Sequence, residues 1–294
     1  MKLIVSDMDG TLLNSNNKIS AENAAALLLA QDKGYEIAIA TGRTYNNAAQ
    51  LCHEVGLRPH IISNHGSFIY TKEGKLLRTT AMKHCDVQHV LDWLDKGEYF
   101  YDVCTGEHTY MPTNARELML LDLERASRKD ASIDLPKGRQ SIEWLLSMGN
   151  VQFVDNMRSI VTKDRAFGNI AAMTFDKQRL QAGRDYFRQY PGVTMTVAAD
   201  DLFEMIDARA SKGNALEYLA DYLRISMWDI MAIGDHYNDI SMLERVGFGV
   251  AIGNAQKAVK DVCQHVSLTN DRHGVAHIVK EMLPRWEKYS SCNG

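Results

Sequence analysis

The spacing of hydrophobic and polar positions along the chain changes rhythm twice. Residues 3–5 form a short apolar run ending in Ser6 and Asp7, as a strand buried on both faces does. Ser20 opens an Ala/Leu-rich segment, 21–33, which Gly34 closes; Ser as N-cap and Gly just past the end predict a helix there. Residues 35–40 read as a second buried strand, 44–55 as a helix ended by Gly56, and 60–63 as a third strand. Strand, helix, strand, helix, strand is the order of a parallel α/β sheet.

The rhythm then shifts. Phe68-Ile69-Tyr70 and Leu76-Leu77-Arg78 flank Lys72-Glu73-Gly74, a hairpin signal. From about residue 84 to 205, helices at 87–94, 115–126 and 177–190 lie among polar, aromatic strands that include 99–103, 151–154 and 193–197. Antiparallel pairing suits this stretch, which reads as a separate α+β domain. After Lys212 the first rhythm returns, with helices at 215–223, 239–246 and 255–263, strands at 230–233, 249–252 and 265–268, and a closing helix at 275–286. Residues 290–294 read as a disordered tail. The expected division is a core of residues 1–82 and 208–294, interrupted by an inserted domain, 83–207.

Composition narrows the function. The 294 residues are 45% apolar and 24% charged, which suits a globular chain of one large or two moderate domains. A net charge of −4 without a long Lys/Arg run gives no reason to expect nucleic acid. The longest apolar runs fall far short of the ~20 residues that cross a bilayer, so no membrane partner is expected. The N-terminus meets acid at Asp7, too early for a signal peptide. Five scattered cysteines, Cys52, Cys85, Cys104, Cys263 and Cys292, form no CxxC pair and suit free thiols in a reducing cytoplasm.

Polar residues gather where the predicted strands end, and open parallel sheets bind ligands at that edge. Asp7 and Asp9 follow the first strand, Thr41-Gly42-Arg43 the second, Ser63-Asn64 the third and Asp235 a later one; Asp239 starts a helix. Four carboxylates would share one rim with Lys212 as the nearest cation. At ~4 Å each like-charge pair is unfavourable by about 4 kcal/mol at an effective dielectric of 20, so protons or a hard divalent cation must neutralise the cluster. Oxygen ligands without His or Cys point to Mg²⁺ rather than zinc, and Mg²⁺ held by few carboxylates takes up a substrate phosphate.

Asp7-Met8-Asp9-Gly10-Thr11-Leu12-Leu13 resembles the DxDGT signature of the haloacid dehalogenase superfamily, and Thr41, Lys212 and the run Gly234 to Asp239 match its second, third and fourth motifs in order. Ser63-Asn64-His65-Gly66 and the strings from Ser211 to Leu216, Asn238 to Leu243 and Gly249 to Ala255 are similar to the Cof-type subfamily. The resemblance implies a Rossmann-like core and a phosphatase in which Asp7 is phosphorylated and Asp9 is the acid and then the base. It implies that Thr11 orients a neighbouring acid. Thr41, Gly42 and Asn238 would hold phosphate, and Lys212 would offset charge. Mg²⁺ would be held by Asp7, the Asp9 carbonyl and Asp235, with Asp239 as a further member of the metal site.

Only 29 residues (12 to 40) separate Thr11 from Thr41, whereas 170 (42 to 211) separate Thr41 from Lys212. The insertion therefore resembles the family's C2-type cap, and its α/β mixture the C2B form, which implies closure over the site and selection of the leaving group. Small phosphomonoesters such as sugar phosphates or phosphorylated cofactors are the expected substrates, with a monomer or weak homo-oligomer as the acting species. A phosphotransferase of phosphomannomutase type is the first alternative. A non-catalytic phospholigand sensor is the second, which an intact Asp7/Asp9 pair argues against.

Arg43 is expected either to meet an anionic substrate or to form an ion pair behind the site, and His65, where Cof-type strings commonly carry Asn, to touch the leaving group or line the mouth. His273 and His277 are read as surface or capping residues, His236 and Tyr237 as packed or partly exposed. Gly247 to Gly253 is read as a strand with its turns, and Tyr99, Phe100, Tyr101 and Tyr110 as core.

Overall fold

The computed structural model describes residues 2–147, 149–197 and 201–291. The chain divides into two compact units, Met1–Arg78 with Ser211–Gly294, and Thr79–Ala210.

The first unit is the α/β core. Its N-terminal part runs β1 (Leu3–Ser6), α1 (Ala21–Asp32), β2 (Glu36–Ala40), α2 (Tyr45–His53), β3 (His60–Ser63), β4 (Phe68–Tyr70) and β5 (Leu76–Thr79). The second crossing of the chain brings α7 (Lys212–Leu223), β12 (Ile230–Gly234), α8 (Ile240–Leu243), β13 (Phe248–Ala251), α9 (Lys257–Val262), β14 (His265–Val266) and α10 (Gly274–Ser291). The strands line up as β14-β13-β12-β1-β2-β3-β4-β5. Pairing is parallel from β14 through β3 and turns antiparallel at β3–β4.

Alternation along the strands gives the sheet two apolar faces. Ile4, Ile37, Ile39, Met231, Ile233 and Val250 pack on one side with Ala26 and Leu27 of α1 and Val275 and Val279 of α10. Leu3, Val5, Ala38, Ala40, Ile230 and Ala232 pack on the other with Leu216 and Leu219 of α7 and Met242, Leu243 and Val259. Each fully buried Leu or Ile contributes roughly 1.5–3 kcal/mol. Sandwiched in this way, β1, β2, β3 and β12 are held rigidly, and their carboxyl ends place the candidate residues.

The second unit runs α3 (His84–Lys96), β6 (Phe100–Thr105), β7 (Thr109–Pro112), α4 (Ala115–Lys129), α5 (Leu135–Leu146), β8 (Val151–Val154), β9 (Phe167–Met173), α6 (Lys177–Gln189), β10 (Val193–Thr196) and β11 (Leu202–Asp207). Its sheet is ordered β10-β11-β9-β6-β7-β8. All pairs in it are antiparallel except β7–β8, which is parallel. Tyr101, Val103, Ile170, Phe203 and Met205 join Val87, Leu91, Leu180 and Phe187 of α3 and α6 in one core. Phe100, Met111, Met173 and Leu202 join Met119, Leu123, Ile142 and Leu145 of α4 and α5 in another. An α/β parallel-sheet core with an inserted α+β unit, as expected, is the fold.

Several details differ from expectation. Helix α5, which Asp134 caps by accepting from the Lys137 N–H, and strands β7, β9 and β11 are additional. The helix expected over 239–246 is a 3₁₀ turn, Tyr237–Asp239, followed by the single turn of α8. Of the tail expected to be disordered, residues 290 and 291 end α10, and 292–294 lie outside the described residues. Phe100, Tyr101 and Tyr110 are buried, while Tyr99 is half-buried and donates its hydroxyl to Arg179 O at 2.8 Å. Cys52, Cys85, Cys104 and Cys263 are free thiols; Cys292 lies outside the described residues. No helix among the described residues is long and apolar enough to cross a membrane.

Candidate active site

Asp7 sits where β1 stops, in extended backbone, and the chain then turns through Met8–Leu12, closed by the Leu13 N–H donating to Met8 O at 2.9 Å. Gly10 lies in the left-handed region at φ +77°, and a Cβ there would fall 2.5 Å from Asp235 Oδ2. Both the dihedral and the approach of Asp235 call for glycine. Asn254 braces the turn by donating to Gly10 O at 2.8 Å while accepting from the Asn270 N–H at 3.0 Å.

Lys212, the first residue of α7, donates from Nζ to Asp7 Oδ1 and to Asp239 Oδ1, each at 2.6 Å. The ammonium is 1% exposed, Asp239 0% and Asp7 5%, so this ion triad is fully desolvated. Asp239 Oδ2 accepts the N–H groups of Asp235 and His236, both at 3.0 Å, and so shapes the turn after β12. Thr11 Oγ1 donates to Asp235 Oδ1 at 2.7 Å. Asp7, Asp235 and Asp239 each offer one oxygen within 4.8 Å of the others.

Burial and the charges of Asp239 and Asp235 push Asp7 well above the usual carboxylate range, against the pull of Lys212. Burial first, and then Asp239, lift Asp235 to about 6, tempered by Thr11, Lys212 and a hydrogen bond with Asp7. For Lys212 burial works the other way, but the two carboxylates outweigh it and hold the ammonium above its usual range. Three carboxyls against one ammonium leave surplus negative charge, which a proton or a hard cation balances. The donor set is all oxygen, and the residues therefore fit Mg²⁺.

The sequence suggested four clustered carboxylates, but the structure clusters three. The Asp9 side chain turns instead to Arg43, whose Nε donates to Oδ2 at 2.8 Å and Nη2 to Oδ1 at 2.6 Å. Arg43 Nη1 donates to Asn47 Oδ1 at 2.6 Å. A bidentate guanidinium satisfies both Asp9 oxygens, whereas a fourth acid among three would add repulsion of about 4 kcal/mol per close pair. Arg43 thus forms an ion pair, and its partner is the site residue Asp9 rather than an acid behind the site.

The remaining candidates form a second group. The loops after β2 and β3 are latched by the His65 N–H to Thr41 O and the Asn64 N–H to Arg43 O, both at 3.0 Å. Thr41 is fully buried and its Oγ1 accepts the Arg43 N–H at 3.1 Å. A Cβ on Gly42 would fall 2.5 Å from the His65 ring, so only glycine lets that ring pack there. His65 Nδ1 meets Asn238 Nδ2 at 3.1 Å, and Asn238 Oδ1 is buried without a protein partner among the described residues. The open end of this amide is an acceptor, and its NH₂ faces His65.

Residues 4–279 match the haloacid dehalogenase-like hydrolase family. The chain belongs to that family. Phosphatase YwpJ of Bacillus subtilis (strain 168) is 37% identical over 285 residues, covering 96% of this chain and 100% of that protein. A second relative from the same organism, 5-amino-6-(5-phospho-D-ribitylamino)uracil phosphatase YwtE, is 28% identical over 286 residues, covering 96% and 98%. Among solved structures, a haloacid dehalogenase-like hydrolase from B. subtilis superposes with a TM-score of 0.84 at 37% identity, covering 96% of this chain and 100% of that one.

Other features of this haloacid dehalogenase-like hydrolase have structural roles. His273 Nδ1 meets Ser20 Oγ at 2.9 Å and His277 Nδ1 meets Ser267 Oγ at 3.3 Å, two separate polar contacts. Gly249 lies in β13, and Gly253 follows it in a turn. Tyr237 is exposed and His236 partly so. Sequence reasoning missed Asn47, although it stands four residues past Arg43 on the first turn of a predicted helix, the spacing at which side chains meet. It also assigned Thr11 no particular acid; Asp235 is 224 residues away, and local spacing holds no trace of that pairing.

Proposed function

We propose that this hydrolase is a Mg²⁺-dependent phosphomonoesterase that works through phosphorylated Asp7 on small phosphorylated metabolites of the cytoplasm. The observation that carries the reading is the desolvated Asp7–Lys212–Asp239 triad at the end of β1, which sets a cation against the Asp7 carboxyl and fixes its direction.

In this reading an Asp7 oxygen attacks phosphorus while the bond to the ester oxygen breaks, and Asp9 gives that oxygen its proton. The alcohol leaves and Asp7 carries the phosphoryl group. Asp9, now a carboxylate, takes a proton from water as the water oxygen attacks phosphorus, and phosphate departs from Asp7. Lys212 offsets the charge on Asp7 throughout. The Thr41 hydroxyl, the Gly42 N–H and the Asn238 Nδ2 group, which has a second hydrogen besides the one facing His65, donate to phosphate oxygens. Asp7, Asp235 and the Asp9 carbonyl would hold Mg²⁺, and Asp239, both of whose oxygens are already engaged, would act by fixing Lys212 and the turn before it. Bound Mg²⁺ supplies positive charge against the phosphate oxygens. Choice among leaving groups is assigned to the inserted unit, Thr79–Ala210.

The test is phosphate release from a panel of sugar phosphates, phosphorylated cofactors and 5-amino-6-(5-phospho-D-ribitylamino)uracil, with and without Mg²⁺. Turnover should require Mg²⁺ and fall when Ca²⁺ replaces it, because the larger ion adopts looser coordination. Full turnover after exhaustive chelation would remove the metal from the reading. Phosphoryl transfer to an added sugar without phosphate release would replace hydrolysis by phosphotransfer.

A further inference from the structure

We propose that Asn47 and Arg43 are positioning residues that aim the Asp9 carboxyl, so that protonation of the leaving group depends on a side chain at the start of α2. The inference rests on the phosphatase reading and extends it.

The geometry is a chain of three side chains. Asn47 Oδ1 accepts from Arg43 Nη1 at 2.6 Å, and the same guanidinium holds Asp9 through Nε at 2.8 Å and Nη2 at 2.6 Å. The Arg43 side chain is 10% exposed, while that of Asp9 is 44% exposed. The guanidinium is thus fixed and the carboxyl it holds faces outward. Burial works against the Arg43 charge, but the Asp9 hydrogen bond and charge exceed it and hold the guanidinium above its usual range. The Arg43 backbone is fixed as well, since its N–H donates to Thr41 Oγ1 and its carbonyl accepts the Asn64 N–H.

Physical chemistry separates this role from two others. Asp9 immediately precedes the positive-φ Gly10 and is half-exposed, so without a partner its side chain would sample several rotamers. A planar fork gripping both oxygens removes that freedom, and the Asn47 contact sets the plane of the fork. A substrate-binding arginine would instead leave its donors facing the ligand, and a purely structural pair would be indifferent to which alcohol departs. A misaimed acid has a specific signature: it slows expulsion of poor leaving groups and spares good ones.

The experiment measures kcat/KM for a series of phosphomonoesters from p-nitrophenyl phosphate through phenyl phosphate to alkyl phosphates. This parameter reads steps only through departure of the alcohol, so later activation of water by Asp9 drops out. For Arg43→Ala, kcat/KM is expected to fall less than about 3-fold for the nitrophenyl ester. For alkyl esters it should fall on the order of 10²-fold, within the range general acids supply. Asn47→Ala should show the same slope at roughly a tenth of the size, and Arg43→Lys, which keeps charge but not the fork, should lie between them. Thermal midpoints within a few degrees of wild type keep unfolding out of the comparison. Equal losses across the series overturn the proposal, as does a loss confined to substrates with a second anionic group, which would make Arg43 a substrate ligand. A wild type that turns over none of the series overturns the phosphatase reading and this inference together.

Discussion

In the core unit, Asp7 and Asp239 are buried against an ammonium; in the inserted unit, Asp102 and Glu204 are buried beside a thiol and an amide. The second pair stands in one row of one sheet, on the strands either side of β9, since Asp102 and Glu204 both lie opposite Ala171. Glu204 Oε1 accepts from Asn169 Nδ2 at 2.9 Å, while Asp102 Oδ1 receives Cys104 Sγ at 3.6 Å, a weak donor. Burial and the charge of Glu204 lift Asp102 to about 7. Similar burial therefore has two outcomes. A lysine between carboxylates bonds to both and sets a cation against their charge; a thiol does not, and the acid holds its proton to near neutrality.

The sharpest way to break this contrast is at Asp7, the proposed nucleophile. Asp7→Asn keeps the shape and one oxygen for Lys212 but cannot form the acyl phosphate, so kcat for phosphate release should fall by roughly 10⁴-fold or more. Wild-type turnover in that variant would end the covalent reading. Lys212→Met comes next. It leaves two buried carboxylates without their cation, for which about 3–5 kcal/mol of destabilisation is expected in urea unfolding, with a 10²–10³-fold loss in kcat. Unchanged stability would mean that the core acids are already neutral, and the two clusters would then be of one kind.

How much of this was legible in the sequence follows from how local each cause is. The parallel core was readable because Leu3-Ile4-Val5 and the 35–40 run are buried on both faces and end in acids or hydroxyls, a pattern that needs no distant partner. Strand β9 was not, because Phe167–Met173 is fully buried at the centre of its sheet, and its Gly, Asn and Ala residues carry little strand propensity and no alternation. Helix α5 carried a start signal in Asp134-Leu135-Pro136 that a polar neighbourhood hid. At the site, residue types were legible and directions were not. That Asp9 turns to Arg43 depends on a loop 34 residues further along, and Asp235 meets Thr11 only once the sheet has formed.

An effect on stability alone, with none expected on turnover, tests the other half of the contrast. The groups facing Asp102 are Glu204 on β11, whose charge raises it, and Cys104 on β6, whose thiol bonds to it. Burial and Asp102 keep that thiol well above its usual range, so it remains neutral. With an ordinary value of 3.8 when unfolded and about 7 when folded, Asp102 binds its proton more tightly in the folded protein. Its contribution to stability is complete below about pH 4 and is lost as pH rises through 7, with a limit of ~4 kcal/mol at 1.36 kcal/mol per pH unit. Asp102→Asn places a neutral isostere there and removes the dependence. The variant should match wild type near pH 4 and exceed it by nearly that limit, ~4 kcal/mol, at pH 8, a gain of roughly 10 degrees in melting midpoint. Parallel stability curves from pH 4 to 8 would show Asp102 ionised in the folded protein as Asp7 is proposed to be. An acid would then stay charged in that sheet without a lysine, and Lys212 would no longer distinguish the two units.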